Sequence, residues 1–343
     1  MMPLVEINDM AHAVDDDTWC SPVADAVAHH WGCEPGAAKW WRSSASHVFV
    51  VPEMPGTGLR AYLRFVPASS RAFDRLEGVA ELMDRLADRG TAVVRPLRTT
   101  TGERVVTAKT PAGTVRAMCV PAAPGEEVEV DGLSRDRARC WGALLAEVHD
   151  RSVDLGGGLS DLHAELPRAG ELFGDDTALV GAVETLRAHL AQLPRDPARY
   201  GVVHGDFELD NLAWRGDRAT AFDFDEAARS WYVADIASAV RDLTTAGEAC
   251  SARHADLLDA FVTGYRAVRP LSDEDLALLP LFTAVNAALG LVGLHGVLDA
   301  PDDGREDKLS DLRRNLLTYR AEQRATVLTV TAGLDLAGAG GPG

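Results

Sequence analysis

The chain reads VVHGDFELDNLAWRGDRATAFDFD from Val202 to Asp225. The apolar residues at its start predict a short strand, and the glycine at position 205 can take the positive φ that a tight loop requires. Further on, residues 211–214 and 219–222 are runs that pair as a β-hairpin across the turn at 215–218. The segment therefore predicts a strand, a sharp loop and a hairpin in close succession.

The predicted hairpin brings oxygen-bearing side chains together. Asn211 opens the hairpin and Asp223 follows it, so we expect the two residues to lie near each other. Carboxylate and carboxamide oxygens suit Mg²⁺, which keeps several waters and is usually shared with substrate phosphates. Asp206, at the rim of the loop, is placed to accept a hydroxyl proton. These groups predict phosphoryl transfer, in which a protein supplies a metal site, positioning and a base.

The pattern H-x-D-x4-N followed by D-F-D, behind a small β-rich segment, resembles the aminoglycoside phosphotransferase and choline/homoserine kinase group. These are small-molecule kinases with a protein-kinase-like fold. The resemblance is strongest over residues 202–240 and implies Asp206 as the catalytic base and His204 as the residue that braces the loop. Asn211 and Asp223 correspond to the Mg²⁺ ligands. The phosphoryl donor implied is ATP, with GTP as an alternative.

The same resemblance assigns nucleotide-binding roles to residues ahead of this segment. Arg64 stands where the family has a phosphate-binding basic residue in its third strand, more often a lysine. Arginine keeps the charge and can bind a phosphate through two nitrogens; the alternative is an exposed strand arginine. A helical glutamate should pair with it, and Glu77 lies closer to the apolar face of its predicted helix than Glu81 does.

Residues 42–47 occupy the place of the glycine-rich phosphate loop but contain no glycine. Small serines there, Ser44 and Ser46 among them, still let backbone N–H groups approach a phosphate. Met118 and Val120, just before a Pro/Gly-rich connector, correspond to the hinge whose backbone contacts adenine. An ordinary buried strand is the alternative interpretation of this last pair.

Further acidic residues surround the predicted base. Glu208 and Asp210 lie in the catalytic loop and are candidates to contact a substrate amine, while Asp225 is a candidate to touch either metal or substrate. We interpret His149, at the end of a predicted helix, as structural. Asp235 reads as a helix N-cap, which is also a structural role.

Composition restricts the partners. An apolar fraction of 46% and a charged fraction of 25% match globular averages and exclude a disordered or fibrous chain. The 343 residues carry 34 Lys and Arg against 52 Asp and Glu, for a formal charge of −18. Such a surface repels phosphate backbones and anionic lipids, so we expect no nucleic acid and no membrane partner. It favours a cationic substrate, although acidity also serves solubility.

Cysteine usage and the first residues bear on location. The five cysteines are odd in number and never at C-x-x-C spacing, which disfavours a disulfide framework or a structural zinc site and favours a reducing compartment. Residues 1–17 have neither the basic nor the apolar region of a signal peptide. We therefore expect a cytoplasmic protein.

Periodicity predicts an α+β, bilobal architecture, and the resemblance implies that it is protein-kinase-like. A helix-bearing extension at 1–38 precedes a small antiparallel-sheet lobe at 39–120, which carries one helix and would bind the nucleotide. After a connector at 121–126, residues 127–332 form a larger, mainly helical lobe for catalysis and substrate. Residues 333–343 read as a disordered Gly/Ala-rich tail. A cleft between the lobes is the expected ligand site.

Some element boundaries can be predicted more closely. The first two strands are expected at 47–51 and 59–66, and the strand that follows the helix at 92–96. The uncharged stretch 276–298 is long enough to span a bilayer, but it contains Pro280 and lacks flanking basic clusters, so a buried helix broken near that proline is expected. The last helix should run from 308 to about 328.

The sequence thus predicts an ATP- and Mg²⁺-dependent O-phosphotransferase that acts on a small-molecule hydroxyl, as a monomer or homodimer. Only three lysines occur, and an Arg/Ala/Gly-rich composition is typical of high-GC genomes, which often encode antibiotic self-resistance. The expected acceptor is therefore an aminoglycoside, peptide or nucleoside antibiotic. Two alternatives remain: a metabolic kinase of a hydroxylated amine or amino acid, and a catalytically weak kinase-like regulator.

Overall fold

The computed structural model describes residues 1–244, 254–298 and 309–339, with side chains described as far as residue 334. It divides into two compact units: the described residues of Met1–Ala123 and Gly296–Arg314 form the first, and those of Pro124–His295 and from Asn315 onward form the second. The first boundary falls inside the predicted connector at 121–126.

The first unit is built on a five-stranded antiparallel sheet in the order β1-β2-β3-β5-β4. Its strands are β1 (Lys39–Ser43), β2 (His47–Val51), β3 (Ala61–Pro67), β4 (Val105–Thr110) and β5 (Gly113–Pro121), and its helices are α1 (Leu4–Ala13), α2 (Pro22–Ala28) and α3 (Ala72–Asp88). Phe49 and Phe65 stack at 5.6 Å and share a core with Val27 of α2. The helix of the N-terminal extension is thus part of this unit's core.

The structure has one strand that was not predicted in this unit and lacks one that was. The sheet begins with β1 at Lys39, which the sequence analysis did not identify as a strand, and the segment 92–96 forms no strand. Only isolated bridges occur there, such as Leu97 to Cys119. Pro96 lacks the N–H that a ladder needs, and the Arg95 guanidinium turns to the carboxylates of Asp84 and Asp88, at 2.7 and 2.6 Å.

The second unit is mainly helical, with two short two-stranded sheets, β6-β9 and β7-β8. Its strands are β6 (Tyr200–Val203), β7 (Leu212–Arg215), β8 (Arg218–Ala221) and β9 (Ala228–Trp231). The helices after the unit boundary are α4 (Arg135–Arg151), α5 (Arg168–Leu172), α6 (Thr177–Leu190), α7 (Tyr232–Ala239), α8 (Ala255–Val268), α9 (Asp273–Leu276), α10 (Leu279–Leu298) and α11 (Ser310–Ala339).

Helices α4 and α8 pack closely because a glycine on each removes the side chain at the contact. A Cβ at Gly142 would overlap the carbonyl oxygen of Phe261, and one at Gly264 would overlap that of Arg139. Trp141 lies against the Phe261 ring, with centroids 5.0 Å apart. The catalytic segment packs against this pair of helices.

The apolar stretch near the C-terminus is a core helix that begins where the sequence predicts a break. Helix α9 ends at Leu276 and α10 starts at Leu279, which puts Pro280 in the first turn, where its missing N–H costs nothing. Within the described part of the chain, α10 alone is long and apolar enough to cross a membrane, and 61% of its most apolar window is buried inside the protein. The last helix, α11, continues to Ala339, past its predicted end and into the predicted tail; residues 340–343 lie outside the described residues.

Candidate active site

The hairpin predicted after the catalytic loop is present and joins its two ends. Strands β7 and β8 pair in register from Leu212 opposite Ala221 to Arg215 opposite Arg218. The ladder is extended by one further bond, in which the backbone N–H of Phe222 donates to the carbonyl oxygen of Asn211 at 3.0 Å. Asn211 is therefore tied to the residue that immediately precedes Asp223.

The loop after β6 turns sharply at Gly205. This glycine has a φ of +86°, and a Cβ there would overlap the carbonyl oxygen of Glu226. Both the positive φ and the lack of space require glycine at this position. The turn sends the chain from the buried strand into the loop that carries Asp206.

His204 connects the loop to the far end of the hairpin. Its side chain is fully buried, with Nε2 donating to the carbonyl oxygen of Phe222 at 3.0 Å and Nδ1 accepting from the backbone N–H of Asp206 at 3.3 Å. The imidazole also lies on the Phe224 ring, with centroids 4.2 Å apart. One side chain thus braces the Asp206 loop against the residues on either side of Asp223.

Asp235 of α7 anchors the backbone of the same loop. Its carboxylate accepts from the N–H groups of His204 and Gly205, both at 2.8 Å, and from His149 Nε2 at 2.9 Å. The sequence suggests an N-cap at this position, but α7 begins at Tyr232, so Asp235 lies inside the helix. Its role is to hold the catalytic loop.

The Asp235 carboxylate is ionised, and its hydrogen-bond partner His149 is neutral. Burial alone would raise the pKa of Asp235, but the hydrogen bonds from His149 and the His204 backbone bring it below its usual value. Burial lowers the pKa of His149. A neutral His149 that donates from Nε2 accepts at Nδ1, where the Tyr265 hydroxyl lies at 2.8 Å. The loop is therefore fixed by a buried chain of hydrogen bonds that reaches α8.

Asp206 projects from this fixed loop with its carboxylate partly open, at 34% exposure. The side-chain Nδ2 of buried Asn211 donates to the Asp206 carbonyl oxygen at 2.8 Å and to Oδ2 at 3.1 Å. Burial raises the pKa of Asp206, and the nearby Asp223 carboxylate acts in the same direction, whereas Arg241 and His204 oppose the rise. A positioned carboxylate of raised pKa is suited to accept a proton.

The donor set beside Asp206 fits a divalent, oxygen-preferring metal ion. Because Asn211 uses Nδ2 on Asp206, the ligand it can offer a metal is Oδ1. Asp223 has a φ of +61°, a left-handed conformation that aspartate tolerates better than most residues. The described residues contain no group of three or more His, Cys, Asp or Glu that could hold a metal. A two-ligand site completed by waters and phosphates is the form that Mg²⁺ commonly uses.

The sequence analysis missed Arg241. This residue lies two positions after the end of α7, and its guanidinium forms an ion pair with Glu208 and lies 3.9 Å from Asp206 Oδ1. Glu208, a candidate to bind a substrate amine, is thus already paired. Burial, together with the Asp206 carboxylate, raises the pKa of Glu208 to about 7. The only signal for Arg241 in the sequence was indirect: the two carboxylates on one loop, Asp206 and Glu208, require a positive counter-charge nearby.

The remaining acceptor-side candidates differ in exposure. Asp210 is exposed and Asp225 is half-buried. Both belong to the same continuous segment as Asp206, so they lie in the same part of the second unit as that residue.

The nucleotide-side candidates lie in the first unit, on β3, α3, β5 and the loop between β1 and β2. Arg64 is buried in the central strand β3, opposite Val48 and Met118, and its Nε donates to the Ser46 hydroxyl at 3.4 Å. Ser46 is 2% exposed. The Ser44 N–H donates to the Ser46 carbonyl oxygen. The Ser44 carbonyl oxygen accepts from the Met2 N–H at 2.8 Å. Serine side chains and the N-terminal segment thus fix this loop.

The glutamate expected to pair with Arg64 has another neighbour. Glu77 lies 4.0 Å from Arg104 Nε, and Glu81 pairs with Arg85 one turn along α3. Val120 is buried on β5 near the start of the connector.

Comparison with known proteins identifies the family. The model of the phosphotransferase enzyme family (APH) matches residues 40–271. Amicoumacin kinase of Bacillus subtilis is 24% identical over 268 residues, covering 74% of this chain and 80% of the relative. A homoserine kinase of Neisseria meningitidis is 32% identical over 160 residues, covering 40% of this chain and 47% of the relative.

Among solved structures, the amicoumacin kinase hAmiN, in complex with AMP-PNP, Ca²⁺ and Ami, superposes with a TM-score of 0.72 at 19% identity, covering 93% of this chain and 96% of that one. The predicted protein-kinase-like α+β fold is confirmed. The chain therefore belongs to the phosphotransferase enzyme family and is an enzyme that transfers a phosphoryl group to a hydroxyl group of a small molecule.

Proposed function

We propose that the protein is a cytoplasmic, ATP- and Mg²⁺-dependent O-phosphotransferase that inactivates an amine-bearing antibiotic. The observation that carries the reaction type is the Asp206 carboxylate, held between Asn211 Nδ2 and a loop that Asp235 anchors through two backbone N–H groups. The antibiotic acceptor is supported by the similarity to amicoumacin kinase over 74% of this chain. The excess of acidic residues beside Asp206 supports a cationic acceptor.

In the proposed mechanism, Asp206 orients and deprotonates the acceptor. The acceptor hydroxyl donates a hydrogen bond to the Asp206 carboxylate, and its oxygen forms a bond to the terminal phosphorus of ATP as the bond to ADP breaks. The hydroxyl proton passes to Asp206 and then to solvent. Asn211 keeps the carboxylate rotated toward the acceptor through its contact with Oδ2. Rigid support of this kind lowers the barrier by holding the reacting groups in line.

Asn211 Oδ1 and the Asp223 carboxylate would hold the Mg²⁺ ion. When bound, this ion neutralises charge on the phosphates of the nucleotide. His204 keeps the two metal-ligand positions in register with Asp206, since it bonds both the Asp206 N–H and the Phe222 carbonyl.

On the nucleotide side, we propose that Arg64 binds a phosphate and that Ser46 orients it through the 3.4 Å contact to Nε. Ser44, whose N–H donates to the Ser46 carbonyl oxygen, would shape the loop around the phosphates. Glu77 is retained as the glutamate associated with Arg64, and Met118 and Val120 as hinge residues. ATP is the proposed donor, with GTP as the alternative that a direct comparison distinguishes.

A second candidate is a metabolic kinase of a hydroxylated amine or amino acid. The 32% identity to a homoserine kinase favours it, over a region that covers 47% of that relative. Its catalytic residues would be the same, so the acceptor alone separates it from the antibiotic kinase.

The test is a search for phosphoryl transfer. The full chain is incubated with Mg²⁺, ATP or GTP and a panel of antibiotics, hydroxylated amines and amino acids, and mass spectrometry detects a phosphorylated acceptor. Asp206→Asn is the inactive variant, and Asp217→Asn, an exposed turn aspartate, is the matched control. An adduct made by the wild type and the control but not by Asp206→Asn supports the proposal. Nucleotide binding with no adduct from any acceptor would point instead to the kinase-like regulator.

A further inference from the structure

The guanidinium of Arg241 is surrounded by carboxylates of its own chain. Nη2 pairs with Glu208, Nη1 lies 3.9 Å from Asp206 Oδ1, and Nε lies 4.0 Å from Asp242 Oδ1. Each of its three nitrogens therefore faces a different carboxylate. A guanidinium in this arrangement is already neutralised and has little positive charge to offer a ligand.

The surroundings of Arg241 keep an excess of negative charge. Three carboxylates share one guanidinium, and Asp210 adds to the field at Glu208. On the neighbouring helix α11, burial raises the pKa of Tyr319, and the Asp206 and Glu208 carboxylates add to the rise while Arg241 opposes it. The Tyr319 hydroxyl thus lies in the same field. A positive group that approaches Asp206 is attracted, and a negative one is repelled.

Asp242 is the most exposed member of the cluster, at 55%, and Arg241 is also more exposed than Asp206 and Glu208. The Arg241 side chain is 48% exposed, while that of Glu208 is 13% exposed. An acceptor that reaches Asp206 from solvent therefore passes the guanidinium, which can move aside and leave Glu208 to an incoming ammonium group. A carboxylate on the acceptor would meet Asp206, Glu208 and Asp242 at close range instead.

We propose that the carboxylates around Arg241 determine acceptor specificity, with Arg241 as their internal counter-cation: the site accepts a hydroxylated amine and rejects the corresponding hydroxylated amino acid. This inference rests on the proposed function and narrows it, because it separates amine acceptors from homoserine-like ones. Charge discrimination of this kind comes from repulsion of the wrong ligand as much as from attraction of the right one.

The first test uses ligand pairs that differ by one carboxylate. Threonine is compared with 1-amino-2-propanol, and homoserine with 3-amino-1-propanol, by calorimetric titration of the full chain in the presence of Mg²⁺ and ADP. We expect each amine to bind at least about tenfold more tightly than its amino acid, given charge contacts at about 4 Å. Equal binding within a pair, or no binding by either amine, would overturn the proposal.

The second test changes the counter-cation. In Arg241→Gln, the amine should bind about tenfold more tightly than in the wild type and the preference over the amino acid should widen, whereas Arg241→Lys should keep the wild-type ratio. Arg187→Gln is the matched control, because Arg187 pairs with Glu184 on α6 at 2.7 Å. An unchanged ratio in Arg241→Gln would contradict the proposal.

A stability measurement covers the case in which Arg241→Gln is poorly folded. Once Arg241 is removed, an external cation should stabilise the carboxylates that it neutralised. We therefore expect 1-amino-2-propanol to raise the melting temperature of Arg241→Gln more than that of the wild type or Arg187→Gln. An equal rise in all three proteins contradicts the proposal. Binding of Mg²⁺ and ADP in the same samples reports on the proposed function separately, so a failure of the inference can be told from a failure of that function.

Discussion

The catalytic segment at 204–224 and the serine loop at 44–46 are held in different ways. Two backbone N–H groups of the catalytic segment donate at 2.8 Å to one buried carboxylate, Asp235, and His204 ties its two ends together. In the serine loop, the contact between Arg64 and Ser46 is longer, at 3.4 Å, and a backbone bond from Met2 at 2.8 Å provides support from outside the sheet.

The difference shows which of the two segments tolerates substitution. An ionised carboxylate that satisfies buried backbone donors cannot be replaced without leaving a donor unpaired, which is costly. Neutral hydroxyl contacts in a loop contribute less and can be exchanged for other small residues. We therefore expect the catalytic segment to lose both activity and stability on substitution, and the serine loop to lose nucleotide affinity alone.

The largest effect is expected for Asp235→Asn. Three donors, the N–H groups of His204 and Gly205 and Nε2 of His149, aim at its two oxygens, so either orientation of an asparagine amide would set its NH₂ group against at least one of them. We expect unfolding to become easier by about 3 kcal/mol and the transfer rate to fall with it. Chemical denaturation and steady-state kinetics measure the two effects.

The control for this variant is Asp217→Asn, at an exposed turn. It should leave stability within about 0.5 kcal/mol of the wild type. If Asp235→Asn were as stable and as active as this control, the carboxylate would not be the anchor of the catalytic loop.

The catalytic segment was readable from the sequence because its groups lie in one continuous run. A strand, a glycine turn and a hairpin of fixed register suffice to bring Asn211 next to the residue before Asp223. The anchoring role of Asp235 and the position of Arg241 depend on how α7 packs, and no local pattern encodes that packing. The sequence therefore suggests an N-cap for the first and gives no role to the second.

The first unit was harder to predict for a related reason. Residues 92–96 have the composition of a strand, but Arg95 makes ion pairs to α3 that only the folded unit can offer. Conversely, β1 contains two exposed residues, Trp41 and Arg42, and lies at the sheet edge, so it lacks the alternation that marks a half-buried strand.

An intermediate effect is expected in the serine loop. Ser46→Ala removes the hydroxyl that accepts from Arg64 Nε, so the guanidinium loses a hydrogen bond that orients it. We expect the KM for ATP to rise about threefold to tenfold, as for loss of one hydrogen bond, with kcat and melting temperature little changed. The control is Ser69→Ala, which removes an exposed hydroxyl that donates to Glu6 at 2.8 Å elsewhere in the same unit. A fall in kcat with unchanged KM would show that the serine loop supports catalysis rather than nucleotide binding.

A pH effect on stability, similar in size to that of Asp235→Asn, originates in the first unit. Burial lowers the pKa of His47, on β2, to about 4, so the folded protein holds it neutral. Because the unfolded value is about 6.5, the stability that depends on the neutral form is fully present above pH 6.5 and is lost as the pH falls to 4, by about 3 kcal/mol. His47→Phe should reduce the pH dependence of the unfolding free energy in this window, and buried His163, whose pKa burial also lowers to about 4, should account for part of what is left.

Exposed His29 supplies the control, and His29→Gln should keep the wild-type pH dependence. An identical slope in His47→Phe and the wild type would mean that other groups cause the acid sensitivity.

The decisive measurement follows nucleotide binding and phosphoryl transfer in parallel, for the wild type, Asp206→Asn and Asp223→Asn. We predict that Asp206→Asn binds ATP with wild-type Mg²⁺ dependence while its transfer rate falls by about 10²–10⁴-fold, the range of general-base catalysis. Asp223→Asn should lose the Mg²⁺-dependent part of ATP binding as well. Transfer by Asp206→Asn at the wild-type rate would contradict the assignment of this carboxylate as the base, and with it the mechanism proposed for this protein.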